Sequence, residues 1–198
     1  MKRISLSIVF VFCFLFGVAQ INKSENLLEV DSLLAKEVFE FPIHFAPEVN
    51  YKGFEEAYFP KEWSNQDSIE YWSYAFAWSI EGNIEVNEST LEHDLQLYFD
   101  GLMTVVNKDQ NFKVPESTTL FLKDGENSFK GKIRLYNAFH TKDMMTLNVS
   151  ANSYKCLEKD KTLLLFRFSP SDFDSDIWET LEAIKFKANA CEIDINED

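Results

Sequence analysis

Glycine, proline, cysteine, histidine and positive charge are all scarce in this chain. Its 198 residues include six Gly, five Pro, three Cys and three His, and 19 Lys plus Arg stand against 33 Asp plus Glu. So few glycines leave little for phosphate-cradling loops. The nearest approach, "GENSFKGKI", has Gly125, Gly131 and Lys132, but five residues separate the glycines rather than four. Ile133 replaces the hydroxyl residue that such a loop needs for its metal, and the segment reads as a hairpin. His44, His93 and His140 are scattered, so no H-E-x-x-H occurs, and no C-x-x-C or G-x-S-x-G is present. The sequence therefore names no catalytic residue, no metal ligand and no cofactor. With a net charge of −14 the chain lacks the basic footprint of a nucleic-acid binder.

Long apolar runs are confined to the start. Lys2 and Arg3 precede an apolar stretch from Ile4 to Phe16, and Gly17-Val18-Ala19 offers small residues at a cleavage site. This reads as a signal peptide over 1–19, and Cys13 within it lacks the small preceding residue of a lipidation site. The expected product is exported, periplasmic or secreted, with no membrane span after cleavage, since a span needs about 20 apolar residues. Loss of Lys2 and Arg3 would take the net charge to −16. Two cysteines then remain, Cys156 and Cys191, and an oxidising compartment permits one disulfide between them; two separate thiols are the alternative.

Aromatic residues and alternating patterns are abundant. Residues 20–36 form either a leader or a short helix, 37–190 a single domain, and 191–198 an acidic tail. "VFEFPIHF" alternates as an edge strand, because Pro42 cannot donate to a ladder. The stretch from Ala46 to Ser68 reads as irregular, with short extended pieces. "EYWSYAFAWSIE" then places Trp72, Tyr74, Phe76, Trp78 and Ile80 on one side of a strand and Ser73, Ala75, Ala77 and Ser79 on the other.

A helix follows, with Leu91, Leu95, Tyr98, Leu102, Val105 and Val106 as its apolar stripe. Ser89 with Glu92 fits a capping box, and Asn87 competes as N-cap. Gly101 in its interior suits a close approach to another backbone. Strands over 118–123, 129–136, 144–156 and 163–168 form a meander, and a second helix follows "SPSDFDSD", capped by Asp174 or Ser175. The expected fold is α+β: an antiparallel sheet of about five to six strands covered by two helices, as in an α-β-α sandwich.

Two resemblances accompany this reading. With the order of elements and the strand-to-helix segment "LLLFRFSPSDFDSDIWETLEAIKF" at 163–186, the chain resembles PsbP/Mog1-like domains. That implies a fold and no activity. "FPIHFAPEVNYKGFEEAYFPKEW" followed by "YWSYAFAW" resembles a group of exported, functionally uncharacterised bacterial proteins, which implies no active site.

Two sets of side chains stand out as ligand contacts. Trp72, Tyr74 and Trp78 could line an aromatic cleft, or fill a core. Lys130, Lys132 and Arg134 form a basic row on one face of a strand, suited to a carboxylate or phosphate, or simply to solvent. The hydroxyl and amide row Thr146, Asn148, Ser150 and Asn152 has the same two readings, with a glycan as its ligand. Asp172, Asp174 and Asp176 alternate as in a calcium loop, but Ile177 and Ala183 occupy the positions that need Gly and Glu. The function these features favour is a non-enzymatic binding or accessory module of the cell envelope, taking a protein or small ligand. A hydrolase-like enzyme with a site assembled from distant residues, or a structural envelope component, is the alternative.

Overall fold

The computed structural model describes residues 26–30, 33–108, 110 and 112–194. The signal segment, Cys13 and the last four residues of the acidic tail lie outside these residues.

Among the described residues the fold is α+β, with two helices, a seven-stranded antiparallel sheet and a separate two-stranded sheet. The large sheet has the order β2-β3-β4-β8-β7-β6-β5. Its strands are β2 (Ala35–Glu40), β3 (Gly53–Phe59), β4 (Tyr74–Glu81), β5 (Thr118–Lys123), β6 (Ser128–Tyr136), β7 (Met144–Cys156) and β8 (Lys161–Ser169). β8 lies mid-sheet, as its unbroken apolar run implies. The extra strand relative to expectation is β3. Its sequence, GFEEAYF, carries two glutamates in the middle, which hides its hydrophobic character. Both Glu55 and Glu56 are nevertheless buried.

Helix α1 (Glu88–Val106) starts at Asn87, whose Oδ1 accepts from the Thr90 amide at 3.0 Å while Thr90 Oγ1 accepts from the Asn87 amide at 2.9 Å. This reciprocal cap satisfies two orphan donors and sets the start ahead of the Ser89–Glu92 alternative. Glu92 instead anchors the sheet edge, accepting from the Phe121 amide at 2.9 Å. Leu91, Leu95, Tyr98, Phe99 and Met103 face the sheet and join Phe76, Trp78, Phe166 and Phe168 in the main core. Each fully buried side chain of this size contributes about 1.5–3 kcal/mol. A Cβ on Gly101 would lie 1.8 Å from the Phe45 carbonyl oxygen, so the 43–49 segment packs directly on the helix backbone.

The opposite face, bearing Ala75 and Ala77, receives the first and last described segments rather than α1. Leu27, Leu28, Ile184, Ala190 and Ile193 pack there with Phe54, Tyr58, Leu163 and Leu165. β1 (Leu28–Glu29) pairs with β9 (Lys185–Phe186) above this face. Residues 26–30 are therefore extended here, not helical. Helix α2 (Ile177–Ala183) is short and its N-cap, Asp176, makes no side-chain cap bond. Ser175 Oγ donates to the Asp172 carbonyl instead. α2 is held from below by Arg167, whose Nε donates to Leu181 O at 2.8 Å and Nη2 to Ile184 O at 2.7 Å. This layer is a helical turn plus irregular strap, so the sandwich is lopsided. Cys156 and Cys191 are joined by a disulfide, Cα to Cα 5.6 Å, which ties the strap to the end of β7. Beyond it, Ile193 is buried and Asp194 pairs with Lys161.

Pro42 follows a cis peptide bond at the exit of β2 rather than lying within it. β2 is an edge strand and ends at Glu40.

Candidate functional site: an aromatic cleft at the edge of the sheet

Register explains why one alternating stretch serves two purposes. On the α1 face, Trp78 lies across from Glu55, which lies across from Phe39; Phe76 lies across from Ala57, which lies across from Glu37. Phe59 pairs with Ala35, at the end of β3 nearest Tyr74. Under the middle of α1 the rings are sealed: Phe76 and Trp78 are both 0% exposed. At the β2 end the helix no longer covers the sheet fully. A cleft of about 290 Å³ opens there, lined by Ala35, Glu37, Phe39, Phe45, Phe59, Trp63, Trp72, Tyr74, Tyr98, Leu102 and Phe139.

Its wall is a set of interlocked rings. Phe59 stacks on Tyr74 at 5.2 Å between centroids, and Trp63 meets Phe59 edge-on at 5.5 Å. Trp63 also contacts Trp72 at 5.2 Å and Phe139 at 5.5 Å. Two loops hold these rings. The loop from Pro60 to Ser73 is a succession of tight turns, closed by the Trp72 amide donating to Trp63 O at 3.0 Å. The 137–143 loop is fastened to it by Asn137 Nδ2 donating to Tyr71 Oη at 2.8 Å, and by the His140 ring packing 5.4 Å from Trp63. Within that loop Lys142 Nζ donates to the Ala138 carbonyl. Ala138 is buried in the main core, so the loop is fixed from below.

Three irregularities converge at this place. Trp72 has φ +52°, left-handed backbone that a bulky residue rarely adopts and that is held only when its surroundings enforce it. The indole N–H groups of Trp63 and Trp72 are enclosed without an oxygen or nitrogen partner among the described residues. His140 Nε2 is likewise unpartnered, and burial with nearby Lys142 lowers the proton affinity of its ring. Buried polar atoms normally find partners, so three orphans around one cleft mark it out.

Beneath the cleft lies Glu55, 0% exposed. Its carboxyl accepts from Trp78 Nε1 at 2.7 Å and Tyr98 Oη at 2.9 Å. Desolvation outweighs these two bonds and pushes its pKa up to about 8, with Glu37 adding in the same direction. On the other face, Glu56 is ion-paired with Lys36 at 2.7 Å and accepts from Tyr58 Oη at 2.8 Å. The adjacent glutamates thus serve opposite layers.

The candidates read from sequence divide. Trp72 and Tyr74 line the cleft; Trp78 lies in the closed core beside it. Lys130, Lys132 and Arg134 are exposed on the far face of β6 and take no part in the cleft. Lys130 pairs with Asp124 at 3.1 Å and lies 5.4 Å above the Phe173 ring. In the neighbouring polar row, Asn148 is buried and donates to Ser171 O at 2.9 Å, while Asn152 Oδ1 accepts from Arg167 Nη1 at 2.7 Å. Those two amides hold α2 in place rather than face solvent.

Sequence reasoning missed Trp63, Phe59, Phe139 and Glu37. Trp63 carried the one available signal, a tryptophan in a polar loop where no periodicity demands it.

Among the described residues no group of three or more His, Cys, Asp or Glu converges as a metal site would. No helix among them is long and apolar enough to cross a membrane. No family model, curated protein or solved structure matches the chain.

Proposed function

We propose that the protein is a binding module of the cell envelope, and that its ligand enters the aromatic cleft between β2, α1 and the two loops. One observation carries this reading: the strained backbone of Trp72 and the unpartnered indoles of Trp63 and Trp72 coincide with an apolar concavity of small-molecule size. Apolar clefts with few, placed polar groups are the usual form of a small-ligand site. Export is supported by the leader-like first nineteen residues and agrees with the disulfide.

A hydrolase-like reading finds less support. Glu55 is a carboxyl with raised proton affinity, the usual property of a general acid. It is fully buried, however, and both its partners are core side chains, so a substrate has no route to it without opening the core.

The test is a titration of indole fluorescence with 3,3-dimethylbutan-1-ol, a compact apolar probe, on the wild-type chain and on Trp63→Leu. Saturable quenching or blue shift that Trp63→Leu weakens supports the reading. A response that Trp63→Leu leaves unchanged places binding elsewhere and overturns it.

A further inference from the structure

Resting on that reading, we infer that the cleft selects an organic cation: an ammonium group carrying methyl or other apolar substituents. Among the described residues Glu37 is the only charged side chain in the lining, and none of them that line it is Lys or Arg. Glu37 is exposed on β2 and forms no ion pair or side-chain hydrogen bond among the described residues. The nearest basic residue in sequence, Lys36, points to the other face and is occupied by Glu56 and Asn26. Of the aromatic lining, Phe39, Phe59 and Trp63 are only partly buried; Phe39 lies two residues from Glu37 on the same face of β2, and Phe59 lies diagonally across the β2–β3 pair. Ring faces attract a cation through their quadrupole, most strongly when the cation is desolvated. A carboxylate at the mouth adds Coulombic attraction. An anion would meet repulsion from Glu37, and the indole N–H groups of Trp63 and Trp72 are enclosed. Net charge points the same way, since a chain at −14 draws cations toward its surface.

The pairing that isolates charge is choline against 3,3-dimethylbutan-1-ol, which have the same shape and differ in N⁺ versus C. Both are titrated by calorimetry and indole fluorescence into the wild-type chain and into Glu37→Gln, whose exposed site leaves folding intact. The expected result is choline binding at least about tenfold tighter than the alcohol, with most of that preference lost in Glu37→Gln. Equal affinity for the two probes overturns the cation inference and leaves the cleft as an apolar site. A choline preference undiminished in Glu37→Gln also overturns it, because the selecting charge then lies elsewhere. If neither probe gives a saturable response, both the inference and the binding reading fall.

Discussion

At the scale of single residues, Phe76 and Trp72 share a pattern and differ in fate. Phe76 stacks on Tyr98 at 5.2 Å and meets Phe166 and Phe168 at 5.0 Å, with no exposure. Phe76→Ala should therefore lose ~3–5 kcal/mol, read as a fall in the urea midpoint; near-wild-type stability would remove Phe76 from the core. Glu55 makes the second residue-scale prediction. Its folded pKa of about 8 lies above the ordinary 4.5. Between those values the folded chain keeps a proton that the unfolded chain has released. Its contribution to stability is complete below the lower value, declines as pH rises and is lost above the upper one. Glu55→Gln, which keeps an acceptor and carries no charge, should remove this slope. The melting temperature of the variant relative to wild type should rise steadily from pH 5 to 8. A pH-independent difference would mean that Glu55 stays ionised.

Elements show how much could be read in advance. The helix α1, the β5–β8 meander and the aromatic strand β4 were legible, because each carries an unbroken period and a turn or cap at its ends. β3 was not, since Glu55 and Glu56 interrupt its apolar run and their partners, Trp78, Tyr98, Lys36 and Tyr58, come from remote positions. The cleft was half legible. Tyr74 belongs to the visible strand pattern, but that strand starts at Tyr74, so Trp72, expected on it, sits instead in the 60–73 loop; Trp63 and Phe139 are likewise brought in by loops whose path depends on tertiary hydrogen bonds. Gly101 was readable as a close-approach position, though which backbone it meets was not. Its replacement by Ala should destabilise despite Ala's better helix propensity, because the new Cβ meets the Phe45 carbonyl rather than a side chain that can move. Overpacking of this kind costs about 1–3 kcal/mol. Increased stability in a thermal melt would show that the 43–49 segment yields. The strap offers a further check. The disulfide closes a loop with a sequence separation of 35, so reduction should cost about 4 kcal/mol. An unchanged denaturation midpoint under reductant would show that the strap's apolar contacts hold it alone.

For the whole molecule, the two sheet faces have separate duties. The face under the strap is closed by Leu27, Leu28, Ile184 and Ile193, by Arg167 and by the disulfide, and its exposed remainder carries Leu120 and Leu122 at 58% and 65% exposure beside the basic row of β6. The α1 face is closed except at the edge strand β2, where rings that would complete a core are left around a cavity. The protein contains four tryptophans, at 63, 72, 78 and 178, and they sample these environments separately. Trp63 and Trp72 line the cleft, Trp78 is locked to Glu55, and Trp178 sits in the α2 cluster with its Nε1 donating to Ser171 O. The most direct test is to follow the four indole N–H signals by ¹H–¹⁵N NMR while choline and 3,3-dimethylbutan-1-ol are added in turn. The account predicts that the Trp63 and Trp72 signals shift in a saturable way, while those of Trp78 and Trp178 stay in place. Shifts confined to Trp178, or no shift at any of the four, would contradict it.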